Sequence, residues 1–189
     1  MPLPARALVA ALALALVLAA APARAQQPPG ASKSLPIAAF FGVFKGSGVA
    51  ELESGSQFRT SMRETQVEIR PAADGGFTVA WSTTAPRGNP NQPTQKTKTT
   101  EAAFRPTARP GVYESAKPAN PLAGGDLMWA RLQRQTLTVY ALTTTADGRY
   151  EMQKWDRTLQ GTGMAMVYTR ISDGEPTRTV KARLTKEGR

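Results

Sequence analysis

Residues 136–186 read TLTVYALTTTADGRYEMQKWDRTLQGTGMAMVYTRISDGEPTRTVKARLTK, and the turns in this stretch decide the fold. Ala146-Asp147-Gly148 separates a β-prone run at 136–145 from another at 149–159. Gln160-Gly161-Thr162-Gly163 then leads into 164–171, and Ser172-Asp173-Gly174 leads into 177–186. Asp-Gly and Gly-rich pairs supply the positive φ that tight hairpins need. Loops of about two to four residues join antiparallel neighbours, because a parallel crossover needs a dozen or more. A meander of sequential antiparallel strands follows.

The same grammar extends upstream. Ala73-Asp74-Gly75-Gly76 separates 58–70 from 77–84, and a run at 43–51 carries two glycines, Gly46 and Gly48, that let a strand bend sharply. Most prolines beyond the N-terminal segment fall in 85–95 and 106–126, so strands are placed between those loops at 95–105, 111–116 and 127–134. No long stretch after residue 34 holds an apolar stripe at helical period. The compact apolar cluster Leu35-Pro36-Ile37-Ala38-Ala39-Phe40-Phe41 reads as a helical turn capping the domain and ended by Gly42. The expectation is an all-β fold, an antiparallel up-and-down meander of about 8–10 strands closing into a barrel. Phe77, Val79 and Trp81 share one face, as do Val180, Ala182 and Leu184. Between Phe58 and Ile69 the apolar parity switches, which predicts a bulge or a bent strand.

The N-terminus has the three-part pattern of a secretory signal. A basic Arg6 precedes a run of Ala, Leu and Val from Ala7 to Ala21, and an A-x-A cleavage site follows at Ala23 and Ala25. That run is shorter than the roughly 20 apolar residues a spanning helix needs, so cleavage is expected, leaving no transmembrane segment. The expected organisation is a signal peptide at 1–25, a polar, Pro- and Ser-rich disordered lead-in at 26–34 and one β-barrel domain at 35–189. The expected location is the periplasm or the outside of the cell, a bacterial destination suggested by the Ala-rich leader. With no Cys in the chain, neither a lipid-anchored leader nor a disulfide framework is available. The domain must hold itself together by packing and strand ladders.

The chain carries 24 Lys and Arg against 14 Asp and Glu, a net charge of +10; loss of Arg6 and Arg24 with the leader lowers it to +8. In a cytosolic protein this excess would suggest nucleic acid. Export removes that reading. No nucleic-acid partner is expected, and the acidic partners left are anionic lipid or an envelope protein, unless the charge serves only solubility.

The segment Phe41-Gly42-Val43-Phe44-Lys45-Gly46-Ser47-Gly48 follows an apolar turn and opens the first strand of the meander. In this it resembles the start of lipocalin-like (calycin) barrels, whose signature is G-x-W, with Phe44 here in place of Trp. The resemblance implies a barrel closed at one end by a cation from the last strand reaching over that aromatic. Gly42, Phe44 and Arg183 are the residues it assigns to this closure, with Arg178 second. Val180, Ala182 and Leu184 would take the inward face of that strand, which argues against Arg183. The role is a packing and cation–π contact worth about 1 kcal/mol rather than a ligand site.

The chain also lacks His. With neither His nor Cys, imidazole and thiolate catalysis and the usual zinc, copper and haem ligand sets are missing. No metal and no cofactor is expected. No Ser stands three residues before a Lys, and no Gly-Lys-Ser/Thr follows either Gly46-Ser47-Gly48 or Gly161-Thr162-Gly163, so neither a Ser-Lys dyad nor a phosphate loop is present. Glu51 with Glu53, and Glu64 with Glu68, are carboxylate pairs of the kind chance provides. The chain is expected not to be an enzyme.

Two readings remain. A barrel of this size holds either packed side chains or one small ligand. If it is hollow, Trp81, Trp129, Tyr140, Met152, Met166 and Tyr168 are the expected lining, and with the Thr-rich strand ends they suit a small amphipathic ligand. The alternative is a non-enzymatic interaction or structural module whose basic surface meets anionic envelope components or a partner protein. A membrane-spanning barrel is disfavoured, since Lys or Arg on a lipid face costs roughly 2–4 kcal/mol near the midplane.

Overall fold

The computed structural model describes residues 33–54, 57–87 and 94–188. The leader, with its cleavage site at Ala23 and Ala25, and residues 26–32 of the lead-in lie outside the described residues. Ser34, the last residue assigned to the lead-in, is tied to the domain: the Arg134 amide donates to its hydroxyl at 2.8 Å, and the Leu35 amide donates to the Arg134 carbonyl at 2.7 Å.

Ten strands follow a 3-10 turn at Ile37–Phe40. They are β1 (Gly42–Ser54), β2 (Gln57–Pro71), β3 (Phe77–Arg87), β4 (Thr94–Pro106) and β5 (Val112–Ser115), then β6 (Leu127–Gln133), β7 (Thr136–Thr144), β8 (Tyr150–Gln160), β9 (Gly163–Ser172) and β10 (Glu175–Glu187). Each strand pairs antiparallel with the next, and β10 returns to pair with β1. The all-β meander expected from the turns is therefore a closed barrel, which leaves no sheet edge exposed.

The hairpins form where the turn residues predict them. At the β9–β10 turn Ser172 faces Glu175, and the two residues between, Asp173 and Gly174, have φ of 49° and 90°. That double left-handed backbone is what a two-residue hairpin matching the twist of the strands requires. The β6–β7 hairpin is tighter than its sequence advertises. Gln133 faces Thr136 across Arg134-Gln135, with Arg134 itself at a φ of 55°. Nothing in an Arg-Gln pair signals a turn.

Alternation along each strand sorts side chains into an interior and an exterior row. Inward rows include Phe44 on β1, Val67 and Ile69 on β2, Phe77, Val79 and Trp81 on β3, and Met164 and Met166 on β9, all buried. The parity switch in β2 is not a bulge: its register with β1 runs unbroken from Gly42 against Ile69 to Ser54 against Gln57. The inward row instead turns polar, with Arg63 and Thr65 continuing the line of Val67 and Ile69, while Met62 lies 58% exposed outside. Gly46 and Gly48 matter through close approach. A Cβ at Gly46 would stand 2.0 Å from the Arg183 carbonyl oxygen, and one at Gly48 would stand 2.1 Å from that of Lys181. The missing side chains let β10 fold tightly against β1 and close the barrel.

The core fills the end of the barrel at which β1 starts. Phe77 stacks on Phe104 with ring centroids 5.1 Å apart and meets Tyr113 edge-on at 5.0 Å, while Phe40 from the 3-10 turn is fully buried in the same cluster. Such aromatic pairs contribute about 0.5–1.5 kcal/mol beyond their buried area.

Candidate functional site

The opposite end of the barrel is hollow. A cavity of about 350 Å³ lies there, and its deeper wall is made by Trp81, Trp155, Met166, Met128 and Ala141. Small-molecule sites run from roughly 300 to 1,000 Å³, so this volume is at the lower end of that range. Trp81 and Trp155 lie with centroids 5.0 Å apart, and Trp155 is 5.3 Å from Tyr168. The three aromatics come from β3, β8 and β9, which are not all neighbours in the sheet, so only barrel closure places them side by side.

Towards the mouth the lining becomes charged. Arg63 from β2, Lys96 and Lys98 from β4, and Arg178 from β10 all border the cavity, with Asp126 as its one carboxylate among the described residues. Lys96 and Lys98 are exposed, whereas Arg63 and Arg178 are half-buried. Burial holds the Arg63 guanidinium below its ordinary value, and the like charge of Arg178 lowers it further. The wall built by β8 and β9 is different. Arg170 makes an ion pair with Glu151, the Gln153 amide donates to the same carboxylate at 2.8 Å, and the Tyr168 hydroxyl donates to Gln153 at 3.1 Å. Burial pushes the Tyr168 phenol up, so it stays a neutral donor at physiological pH.

Below the aromatic floor lies Arg157, one inward position further along β8 than Trp155. It is fully buried, its guanidinium carbon stands 5.2 Å from the centre of the Trp81 ring, and none of its three nitrogens has a hydrogen-bond partner among the described residues. Burial brings it down to about 9, with the nearby Asp156 carboxylate acting in the opposite sense. It still carries its proton at neutral pH, held against the Trp81 ring by a cation–π contact. Sequence reasoning missed it. Its only signal is parity, since Arg157 shares the inward row of β8 with Trp155.

Of the six residues expected to line a cavity, three do so: Trp81, Met166 and Tyr168. Trp129, Tyr140 and Met152 do not, which corrects their expected inward placement. Ala130 and Leu132 take the inward positions of β6, and Val139 and Ala141 those of β7, so alternation turns Trp129 and Tyr140 outward. There they face each other across the hairpin as a stacked pair 4.8 Å apart. Met152 is set outward in the same way, with Glu151 and Gln153 flanking it on the inner row of β8.

The closure assigned to Gly42, Phe44 and Arg183 is also redistributed. Phe44 is buried as expected, but the cation over it is Lys186, with Nζ 5.6 Å from the ring centre. Gly42 makes room for this lysine, because a Cβ there would meet its Cε at 2.6 Å. Arg183 is exposed on the outside, since Ala182 and Leu184 hold the inward positions beside it. Arg178 turns inward, but at the far end of the barrel.

No family model and no curated protein matches the chain. Among solved structures, the chain is similar to the S-type phycobiliprotein lyase CPES from Guillardia theta, with 6% sequence identity over 82% of this chain and 94% of that one and a TM-score of 0.36. That protein is named a lyase; the expectation that the present chain is not an enzyme does not follow from its composition and is withdrawn. The physical reason is that missing His and Cys remove imidazole and thiolate chemistry only, leaving carboxylates, tyrosines and arginines as groups able to move protons or stabilise charge.

Proposed function

We propose that this chain is an exported barrel of lipocalin-like construction that takes up a small amphipathic molecule at its open end. The observation that carries the reading is the split interior. One end is packed with aromatic side chains, and the other holds about 350 Å³ between an apolar floor and a polar mouth. An apolar floor rewards burial of a hydrocarbon or ring surface by about 25 cal/mol per Å². Polar groups at the rim fix its orientation. The lipocalin-like construction is supported by the contact of Lys186 with Phe44 over Gly42 at the packed end. Export rests on the leader that ends at Ala25.

Native mass spectrometry of the protein purified from its own host is the direct test. A small molecule that co-purifies, and that is lost when Trp81 and Trp155 are both replaced by Ala, is the expected result. A clean apo mass under gentle conditions overturns the reading.

A further inference from the structure

We propose that the molecule taken up is an amphipathic anion, with an oxyanion head held at the mouth by Arg63, Arg178, Lys96 and Lys98 and its apolar body on Trp81, Trp155 and Met166. The proposal rests on the cavity reading above and adds the charge and orientation of what enters.

Among the described residues, four cations and a single carboxylate, Asp126, border the cavity. Among the described residues, none of the four cations is in an ion pair. Other cations of the barrel are neutralised. Arg170, which also faces inward, is neutralised by Glu151, and Lys154, Arg105 and Arg149 each hold a carboxylate at 2.9 Å or less. Around the cavity, unpaired positive charge thus lies on the wall formed by β2, β4 and β10, while the wall that carries Arg170 is neutralised. Arg178 is near enough to Arg63 that its charge disfavours that of Arg63. The Arg178 Nε is buried with no hydrogen-bond partner among the described residues. An oxyanion between the two guanidiniums would remove their repulsion and accept from that nitrogen in one step. Buried Arg157 adds positive charge below the floor. A cationic amphiphile would meet net repulsion throughout, and a neutral one would desolvate the guanidiniums with nothing in return.

The test is a series with one twelve-carbon chain and four heads: dodecanoate, dodecyl phosphate, dodecanol and dodecylamine. Each is titrated below its micelle concentration into the purified protein, and binding is read from the emission of Trp81 and Trp155. Both anions are expected to bind at least about tenfold more tightly than the alcohol, and the tighter of the two identifies the head as carboxylate or phosphate. Their affinity should fall between about 20 and 500 mM salt while that of the alcohol holds, since screening acts on charge at an open mouth. Lys96→Gln with Lys98→Gln, both at exposed positions, should weaken the anions severalfold and leave dodecanol unchanged. Arg178→Met should do the same more strongly. Dodecanol or dodecylamine binding as tightly as the anions, or anion binding indifferent to salt and to the lysine variant, overturns the proposal and leaves the cavity reading standing. If no member of the series binds, both fall.

Discussion

At the end of the barrel where β1 begins, the inward positions are Phe44, Phe77 and Phe104, none more than 1% exposed, with Phe40 sealing them. At the other end the inward positions include Arg63, Lys98, Lys96 and Arg178, which border a cavity. The change runs along single strands. On β4, the inward row passes from Phe104 and Ala102 through Thr100 to Lys98 and Lys96 within nine residues. One pleat therefore serves two purposes. The packed end supplies the buried apolar surface that a disulfide-free domain of this size needs, which frees the other end to hold charges that contribute nothing to packing.

This contrast can be broken or sharpened by substitution. The largest effect belongs to the packed end. Phe77→Ala removes a ring held by both Phe104 and Tyr113 and should cost about 3–5 kcal/mol in urea denaturation. Next comes the boundary between the two ends, where Arg157 is a buried cation without a hydrogen-bond partner among the described residues. Arg157→Met replaces it with an apolar chain of similar length and should stabilise the fold by about 1–4 kcal/mol. The pH dependence has a definite sign. With the folded value lowered to about 9 from its ordinary higher value, the unfolded chain binds more protons above about pH 9, so the penalty is complete below about 9 and is relieved as pH rises. The stability difference between the parent and Arg157→Met should thus shrink from pH 8 to pH 11, as chemical denaturation of both proteins at each pH will measure.

A smaller effect is expected where the charged end is already neutralised. Glu151→Gln leaves Arg170 without its carboxylate and should cost about 1–3 kcal/mol, because the Glu151 side chain is only 11% exposed. The same change adds unpaired positive charge beside the cavity, so anion binding should tighten while stability drops. A variant that lost both would show that the Glu151–Arg170 pair shapes the wall itself. Smallest of all, Lys96→Gln with Lys98→Gln should shift stability by no more than about 0.5 kcal/mol, making the mouth separable from the fold in the same denaturation assay.

How much of this was legible depended on which physical signal each feature leaves in the chain. Asp147-Gly148 and Asp173-Gly174 marked hairpins because left-handed backbone is costly for most residues, and the turn at Arg134-Gln135 left no such mark. The inward rows were legible where apolar and polar residues alternate strictly, as at Phe77, Val79 and Trp81. They were not legible where both faces carry apolar groups. Trp129 and Tyr140 looked like lining residues by type and are an exterior pair by parity. In β2 the polar residues Arg63 and Thr65 are the inward ones, so the hydrophobic pattern that usually sets register pointed to a bulge or a bent strand where the ladder with β1 has no bulge. Arg157 was invisible for the same reason.

By itself, then, the sequence determined the strand order, the antiparallel pairing and the absence of disulfides, because these follow from turn chemistry and composition within a few residues of each other. Tertiary structure alone decided that the barrel is packed at one end and hollow at the other, that Lys186 rather than Arg183 covers Phe44, and that Arg63 and Arg178 meet across the cavity mouth. Those outcomes depend on which residues, more than a hundred positions apart in the chain, are brought to the same level of the barrel when β10 closes on β1. That closure is set by the register of ten ladders together, which no local stretch of sequence encodes.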